Sequence, residues 1–363
     1  MSVAPSRAYG AQGSRRPHWY WYDDGMSILV TGGAGYIGSH TTLALLRAGY
    51  NVVVVDDLSN SSVKSVQRVS QLAGRAVDFH ELDLRDSHRL REVFKASHIE
   101  AVIHFAGSKS VAESVANPGK YYDNNVYSSV VLTRAMADHD VRTLIFSSSA
   151  TVYGRSDNPR YVETMPTAPF NPYGRTKLIV EHLLQDLVSS DSAWSMTALR
   201  YFNPIGADES GEIGEDPLGV PNNLFPYIAQ VAIGQRPHVT IFGADYPTSD
   251  GTGERDYIHV SDLADGHVAA LKNSSLRPNT LAVYNLGNGH GSSVLEVIHA
   301  FERATGQPVP YNIAGRRPGD LPAYWADASR AREVLGWTAQ RDLATACADT
   351  WRWQVHNPSG FRR

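Results

Sequence analysis

The segment Gly33-Ala34-Gly35-Tyr36-Ile37-Gly38 lies between an apolar run, Ile28-Leu29-Val30, and a stretch of helical character at 39–47. A strand, a glycine turn and a helix in that order commit the chain to a parallel α/β arrangement, because the helix carries the backbone over a sheet. Glycine serves three ends in such a turn: a tight bend off the strand, backbone approachable with no Cβ in the way, and close packing of helix on strand. Free N–H groups at the helix start, with the helix dipole behind them, suit two negative charges. A second apolar run, Val52-Val53-Val54-Val55, ends in Asp56-Asp57. Strand, turn, helix and an acid after the second strand together describe a dinucleotide site, which a glycine pattern alone does not.

The acid also bears on which dinucleotide is held. A carboxylate at Asp56 accepts hydrogen bonds from both adenosine ribose hydroxyls and repels a 2'-phosphate, and the following Leu58-Ser59-Asn60-Ser61 contains no arginine. NAD is therefore expected over NADP. Asp57 fits equally well as the start of a solvated turn.

From Met26 to about Val188, short β-branched runs alternate with helical stretches, which reads as parallel strands joined by helices. Strands are expected at 27–30, 51–55, 76–81, 101–105, 143–147 and 196–201, giving a doubly wound, Rossmann-type sheet of six strands. Ligands of such sheets bind beyond the carboxyl ends of the strands. The residues there are small or polar: Asp83, Ala106-Gly107, Ser147-Ser148-Ser149 and Asn203. After Asn203 the texture turns rich in Gly, Pro and acids, and residues 204–363 read mainly as a smaller α/β substrate lobe with some return to the main domain at 26–203. The helical stretch at 327–354 holds Trp337, Trp351 and Trp353, which suit packing better than ligand contact.

A chain of 363 residues can bury a large core. With 33 basic and 37 acidic residues, no basic surface or tail argues for nucleic acid. No stretch reaches the roughly 20 apolar residues of a membrane span. The single cysteine, Cys347, forms no intrachain disulfide and no metal-ligand spacing, pointing to a reducing compartment such as the cytoplasm and to a small buried apolar role. Residues 1–25, with Arg15-Arg16 and the run Trp19-Tyr20-Trp21-Tyr22, lack the apolar core of a signal peptide and read as a disordered leader or an upstream start before Met26.

Tyr173 and Lys177 are spaced four apart, just after Asn171-Pro172. Proline suits the first helical position, and residues four apart share one helix face. A phenol with pKa near ~10 is a poor base at neutral pH. A neighbouring ammonium is expected to lower that value, making Tyr173 a general base for a sugar hydroxyl. Ser149 could share the hydroxyl proton. By itself such a Tyr/Lys pair is usually a surface pair; here it follows a dinucleotide site and a serine cluster at a strand end.

With these residues in view, the chain resembles the UDP-galactose 4-epimerases, within the extended short-chain dehydrogenase/reductase superfamily, from Met26 almost to the C-terminus. The resemblance is carried by Thr31-Gly32-Gly33-Ala34-Gly35-Tyr36-Ile37-Gly38-Ser39-His40, Tyr121-Tyr122-Asp123-Asn124-Asn125, Ser147-Ser148-Ser149-Ala150-Thr151-Val152-Tyr153-Gly154, Gly253-Glu254-Arg255-Asp256-Tyr257-Ile258-His259 and Gly319-Asp320-Leu321-Pro322-Ala323-Tyr324. It implies an isomerase that keeps NAD bound: Tyr173 takes the O4 proton while the C4 hydride passes to NAD, the 4-ketohexose turns over, and the hydride returns to the other face. It implies NAD contacts from Gly32, Gly35, Tyr36, Ile37 and Gly38, from Asp56 to Ser61, and from Asp83 and Leu84. Further contacts are implied from Phe105, Ala106, Gly107, Ser108, Lys109, Asn124, Tyr173, Lys177 and Phe202. UDP-sugar contacts are implied from Ser149, Tyr173, Asn203, Asn223, Leu224, Thr240, Ile241, Phe242, Arg255, Arg317, Asp320 and Tyr324. The usual homodimer of the family would use helices around 122–137 and 173–188.

Two arginines can clamp a diphosphate through charge-assisted forks, and Phe242 can offer its ring to a uracil. Strong anchoring of the nucleotide and weak anchoring of the hexose lets a ketosugar rotate without leaving. Arg317 beside Arg316 also fits a solvated pair, and Phe242 a core position. The resemblance also implies that the residue at 324 limits the volume beside the hexose C2, where a bulky tyrosine is expected to make UDP-N-acetylhexosamines poor substrates. Ser108 and Ser110 depart from the less polar residues anticipated there. The nearest enzymatic rival, a nucleotide-sugar 4,6-dehydratase, needs an acid pair where this chain has Ala150-Thr151. A UDP-uronic acid epimerase is a further rival, and a non-enzymatic NAD-sensing scaffold would commonly have lost Tyr173 or Lys177.

Overall fold

The computed structural model describes residues 27–274, 280–317 and 319–361. The leader at 1–25 lies outside them. The chain alternates through β1 (Ser27–Thr31), α1 (Tyr36–Arg47), β2 (Asn51–Asp56), α2 (Val63–Ala73), β3 (Asp78–Glu81), α3 (Ser87–Ala96) and β4 (Ile99–His104). It continues through α4 (Val111–Ala116), α5 (Pro118–Tyr121), a π-helical segment Tyr122–Tyr127 and α6 (Ser128–Asp138) to β5 (Thr143–Ser149). A 3-10 turn Ala150–Val152, β6 (Arg160–Tyr161), α7 (Pro172–Ser190), β7 (Ser195–Tyr201) and β8 (Asn203–Ile205) follow. Then come α8 (Leu224–Ala232), β9 (Val239–Phe242), β10 (Glu254–Arg255), β11 (Tyr257–His259), α9 (Val260–Ser274) and β12 (Thr280–Leu286). The last elements are β13 (Ser292–Ser293), α10 (Val294–Thr305), β14 (Tyr311–Ala314), β15 (Ala323–Ala326), α11 (Ser329–Leu335) and α12 (Leu343–His356).

The central sheet runs β12-β7-β5-β4-β1-β2-β3, and every pairing in it is parallel. It has seven strands, not the six expected. The seventh, β12, comes from the region read as the substrate lobe and pairs with β7 along its whole length. Its pattern matches the other strands, but its partner lies far back in the sequence.

The inner strands of the sheet are buried on both faces, so alternate residues enter opposite cores, whereas the edge strand β3 is partly exposed. Ile28 and Val30 join one apolar cluster with Leu43, Val66 and Leu263 from α1, α2 and α9. Leu29, Val53 and Val55 join the other, with Leu90, Leu132 and Leu184 from α3, α6 and α7. This two-sided burial is why the strands read as continuous apolar runs rather than alternating ones. A separate cluster around Phe225, Ile298, Phe301 and Cys347 forms the core of the smaller lobe, packing α8, α10 and α12 with β9. Trp337 and Trp353 are buried, as a packing role requires, and Trp351 edges onto Phe301. Among the described residues no helix is long and apolar enough to cross a membrane.

The topology reverses at β1. The chain winds outward through β2 and β3, then returns to β4 on the other side of β1. The register sets Thr31 beside Val55 and His104, so the three strand ends are level and their loops share one crevice. Such a switch point is where ligands of doubly wound sheets bind.

Candidate active site

The first wall of the crevice is the glycine turn. Gly32, at φ +71°, makes the bend, and a Cβ there would stand 2.7 Å from the Ala106 nitrogen. The tight-turn role thus falls one residue before the Gly33 motif. A Cβ on Gly38 would come 2.1 Å from the Gly32 oxygen, so this glycine sets the approach of α1 to the strand end. Gly35 differs: a Cβ there would meet only the Gly32 oxygen among the described residues, at 3.3 Å, and it stands at the N-cap of α1 without any side-chain hydrogen bond. The N-terminus of α1 is left with bare backbone, a cradle suited to a pyrophosphate.

Asp56 ends β2 buried, and its carboxylate receives the Ala34 and Leu58 N–H groups at 3.0 Å each and the Ser61 hydroxyl at 2.6 Å. Burial raises its pKa and those three donors oppose the rise. A carboxylate has about four acceptor positions, so this one organises its own loop with about one position left for a ribose. Leu58 takes a left-handed φ of +57° to donate to it. Asp57 is exposed and accepts from the Ser59 N–H and hydroxyl, the geometry of a solvated turn. Asn60 is also exposed. Asp83, after β3, is forked to Arg85, which holds its carboxyl below the usual range; Leu84 beside it is buried.

The loop after β4 forms the next wall. Phe105 and Ala106 donate their N–H groups to Thr31 at 2.9 and 3.1 Å. Asn125 fastens the loop, accepting the Ser108 N–H at 2.8 Å and donating to the Ser108 carbonyl and the Thr176 hydroxyl. Asn124 donates to the Ser108 hydroxyl at 3.1 Å, while the Ser110 hydroxyl caps α4. The polarity at 108 and 110 therefore has local partners. Lys109 reaches across to Glu215 at 2.8 Å, and Asn223 donates to the same Glu215 oxygen at 2.6 Å. Glu215 thus joins a residue read on the cofactor side to one read on the sugar side. Asn125, quoted above only as part of a matching segment, and Glu215 are not among the contacts implied from sequence; two adjacent asparagines inside a helical region, poor helix formers both, are the available signal for Asn125.

The third wall carries Tyr173 and Lys177 on α7. Asn171 caps the helix by accepting the Gly174 N–H at 2.8 Å, and Pro172 occupies the first turn. A Cβ on Gly174 would lie 2.5 Å from the Thr151 oxygen, so the helix start abuts the turn that ends β5. Lys177 is buried and donates to the Ser147 carbonyl at 2.7 Å; its Nζ lies 4.9 Å from the Phe146 ring centroid and 5.9 Å from that of Tyr173. Burial pushes Lys177 down to about 8, against an upward pull from Glu181. Burial pushes the Tyr173 phenol up to about 12, with a Ser149 hydrogen bond pulling it down. This corrects the expectation that Lys177 depresses the phenol of the free protein: the ammonium is engaged with a carbonyl, and desolvation outweighs its field.

On the facing lobe Asp320 gathers the two arginines, accepting from Arg255 at 3.1 Å and pairing with Arg317 at 3.3 Å. Arg255 lies 4.7 Å from the Tyr324 ring centroid and Arg317 4.6 Å from that of Phe242. Arg316 pairs instead with Asp245. Phe242 is half-exposed, at the end of β9 after Thr240 and Ile241. Tyr324 also meets Phe202 at 5.8 Å, which brings a residue read as a cofactor contact against one read as a sugar contact. Asn203 has a buried Oδ1 with no protein partner, and Asn223 stands at the N-cap position before Leu224 of α8 without a side-chain hydrogen bond to the helix. Ala150 and Thr151 put no carboxyl group at the end of β5; the Thr151 hydroxyl donates to Ser149 at 3.0 Å.

Comparison with known proteins agrees with this geometry. Residues 28–287 match the model of the NAD dependent epimerase/dehydratase family. A UDP-glucose 4-epimerase of Bacillus subtilis is 53% identical over 337 residues, covering 93% of this chain and 99% of the relative. A UDP-glucose-4-epimerase from Stenotrophomonas maltophila, solved with bound NAD and formylated UDP-arabinopyranose, superposes with a TM-score of 0.90 at 50% identity, over 92% of this chain and 99% of that one. The enzyme from Bifidobacterium longum, in complex with NAD+ and UDP, gives 0.89 at 51% identity, over 92% and 100% of the two chains. A match of this extent, on a chain with this switch-point crevice, means that the protein belongs to the NAD dependent epimerase/dehydratase family.

Proposed function

We propose that this chain interconverts UDP-galactose and UDP-glucose with tightly held NAD, working as a cytoplasmic homodimer. The carrying observation is that Tyr173, Lys177 and Ser149 meet at the end of β5, between a bare glycine cradle and an arginine-lined lobe, in a chain matching UDP-glucose 4-epimerases over nearly all its length. Gly32 to Gly38, Asp56, the 105–109 loop and Lys177 fit the cofactor. Arg255, Arg317, Phe242, Asn203 and Asn223 fit the nucleotide part of the substrate, and Tyr324 flanks the hexose. The main domain at 26–203 and the lobe at 204–363 then supply one partner each, with β12 and α9 returning to the main sheet.

Bound NAD supplies an oxidant for C4 and a positive ring whose charge adds to that of Lys177. Tyr173, once ionised, takes the O4 proton as C4 gives up its hydrogen, and returns it when the reduction is reversed on the other face of the sugar. Ser149 holds the phenol in place and partners the reacting oxygen. Arg255 and Arg317 keep the diphosphate fixed while the ketosugar turns. No carboxyl group at 150–151 is available to drive loss of water, which disfavours a dehydratase. The exposed apolar residues Val111, Val115, Tyr127 and Ile179, around the helices read as the dimer contact, support the homodimer.

The test is incubation of purified protein with UDP-galactose and no added NAD. UDP-glucose is the expected product. A 4-keto-6-deoxy product, or no product from protein shown to carry NAD, overturns the reading.

A further inference from the structure

The three serines that end β5 are each tied to a different turn of α7. Ser149 acts on the Tyr173 phenol, drawing its pKa down against burial, the Ser147 carbonyl receives Lys177, and the Ser148 hydroxyl donates to Glu181 at 2.5 Å. Tyr173, Lys177 and Glu181 follow at four-residue spacing, so they stand on one helix face, one above the other. Glu181 is 3% exposed and is forked by Arg200 of β7, through Nε at 2.9 Å and Nη2 at 2.5 Å. Arg200 in turn lies 4.8 Å from the Tyr153 ring centroid, and its Nη1 is buried without a partner.

We propose that Glu181, fixed by Arg200 and Ser148, is a positioning residue that keeps the Lys177 ammonium charged beside Tyr173. The inference rests on the epimerase reading. A buried Glu–Arg pair is no stabiliser by default, since apolar residues of like volume commonly replace one at no cost, and its place one turn beyond Lys177 asks for another reason. Lys177 is itself buried, and desolvation favours its neutral form, which could not support a phenolate. The groups around Lys177 are Tyr173 and Glu181 on α7 and His104 on β4, with Arg200 of β7 joined to the set through Glu181 and Tyr201 of β7 through Ser147. Burial keeps both phenols protonated and His104 neutral, leaving Glu181 as the one anion of the set. The charges then sum to one positive while Tyr173 is a phenol. They cancel when it becomes a phenolate, so the buried set is balanced in the state that accepts the sugar proton.

The experiment compares wild-type protein with Glu181→Gln and with the double variant E181M/R200M, which removes the fork as a whole, so that Arg200 is not left unpaired and the fold stays testable if the single variant fails. The pH dependence of kcat and KM for UDP-galactose is measured, alongside an NMR titration of Lys177 in lysine-labelled protein, assigned with Lys177→Met. Glu181→Gln should move the alkaline limb of kcat and the Lys177 midpoint to lower pH by about one unit, roughly a tenfold loss of rate above the limb; the double variant should move both in the same direction by less, because the Arg200 charge leaves with that of Glu181, and KM should be nearly unchanged in both. An unmoved limb and midpoint in folded variants, or in the double variant alone if Glu181→Gln does not fold, reduces the pair to packing and overturns the inference. Absence of wild-type turnover would sink the epimerase reading instead, while the Lys177 midpoint still decides the role of Glu181.

Discussion

Lys177 donates to the Ser147 carbonyl at 2.7 Å and lies 5.9 Å from the centroid of the Tyr173 ring, so its charge acts on the phenol through space and not through a shared proton. Replacing it by methionine, which keeps the stem, should cut kcat by about 10²–10⁴ and move the acid limb of the pH profile upward. Tyr173→Phe should abolish turnover and leave NAD bound, because the ring packs and the hydroxyl reacts. Rate profiles and cofactor content of the purified variants check both, and an unchanged acid limb in Lys177→Met counts against the electrostatic account.

Tyr324 is boxed by Arg255, Phe202 and Tyr161, at 4.7, 5.8 and 6.0 Å between centres, which leaves it little freedom to swing away from a bulkier sugar. UDP-N-acetylglucosamine should be a poor substrate of the wild-type protein. Tyr324→Cys should raise its turnover by tenfold or more, on the order of the discrimination a steric pocket provides. Equal wild-type turnover of acetylated and plain sugars would remove Tyr324 from this role.

Arg255 is mostly buried and Arg317 largely exposed, yet both meet Asp320. Arg255→Ala should therefore raise KM for the UDP-sugar more than Arg317→Ala does, and Phe242→Ala should raise it with little change in kcat, because these groups lie away from the reacting carbon. Steady-state kinetics and UDP binding by calorimetry separate the three. A fall in kcat alone would mean that they act on the chemistry.

His40, His104 and His267 are held neutral by burial, at about 4, 3 and 4. In the unfolded chain each takes up a proton near ~6.5. Between those values the unfolded state binds more protons, so stability is complete above about 6.5 and is lost as the pH falls towards about 4. Thermal melts should show Tm dropping through that window, and His267→Gln should shallow the fall. A flat Tm from about pH 7 to 5 would contradict it.

Much of the site was readable before the fold was known, because its parts are local. A glycine turn, an acid at a strand end and a Tyr/Lys pair behind a capping Asn-Pro each carry their geometry within a few residues. What escaped was set by partners distant in the chain. Lys177 was expected to serve Tyr173 directly, but only the packed end of β5 shows its proton going to Ser147. Glu181 reads as an ordinary helix-surface acid until Arg200 arrives from β7. Strand ends shifted too: the third was expected at 76–81 and forms at Asp78–Glu81. The π-helical segment Tyr122–Tyr127, which sets Asn124 and Asn125 against the 105–109 loop, is marked in the sequence only by those two asparagines, which do not by themselves specify a widened helical turn.

The pairing of β12 with β7 has a bearing on synthesis. Until Thr280–Leu286 leaves the ribosome, β7 stands as the rim of the growing sheet with one row of backbone donors and acceptors unmatched. Its residues are buried along their whole length in the finished protein, Met196, Ala198 and Leu199 among them, so this rim exposes apolar side chains as well as unsatisfied backbone. The nascent chain is thus most open to strand-to-strand association after its catalytic helix is complete and before the last strand of its central sheet is made.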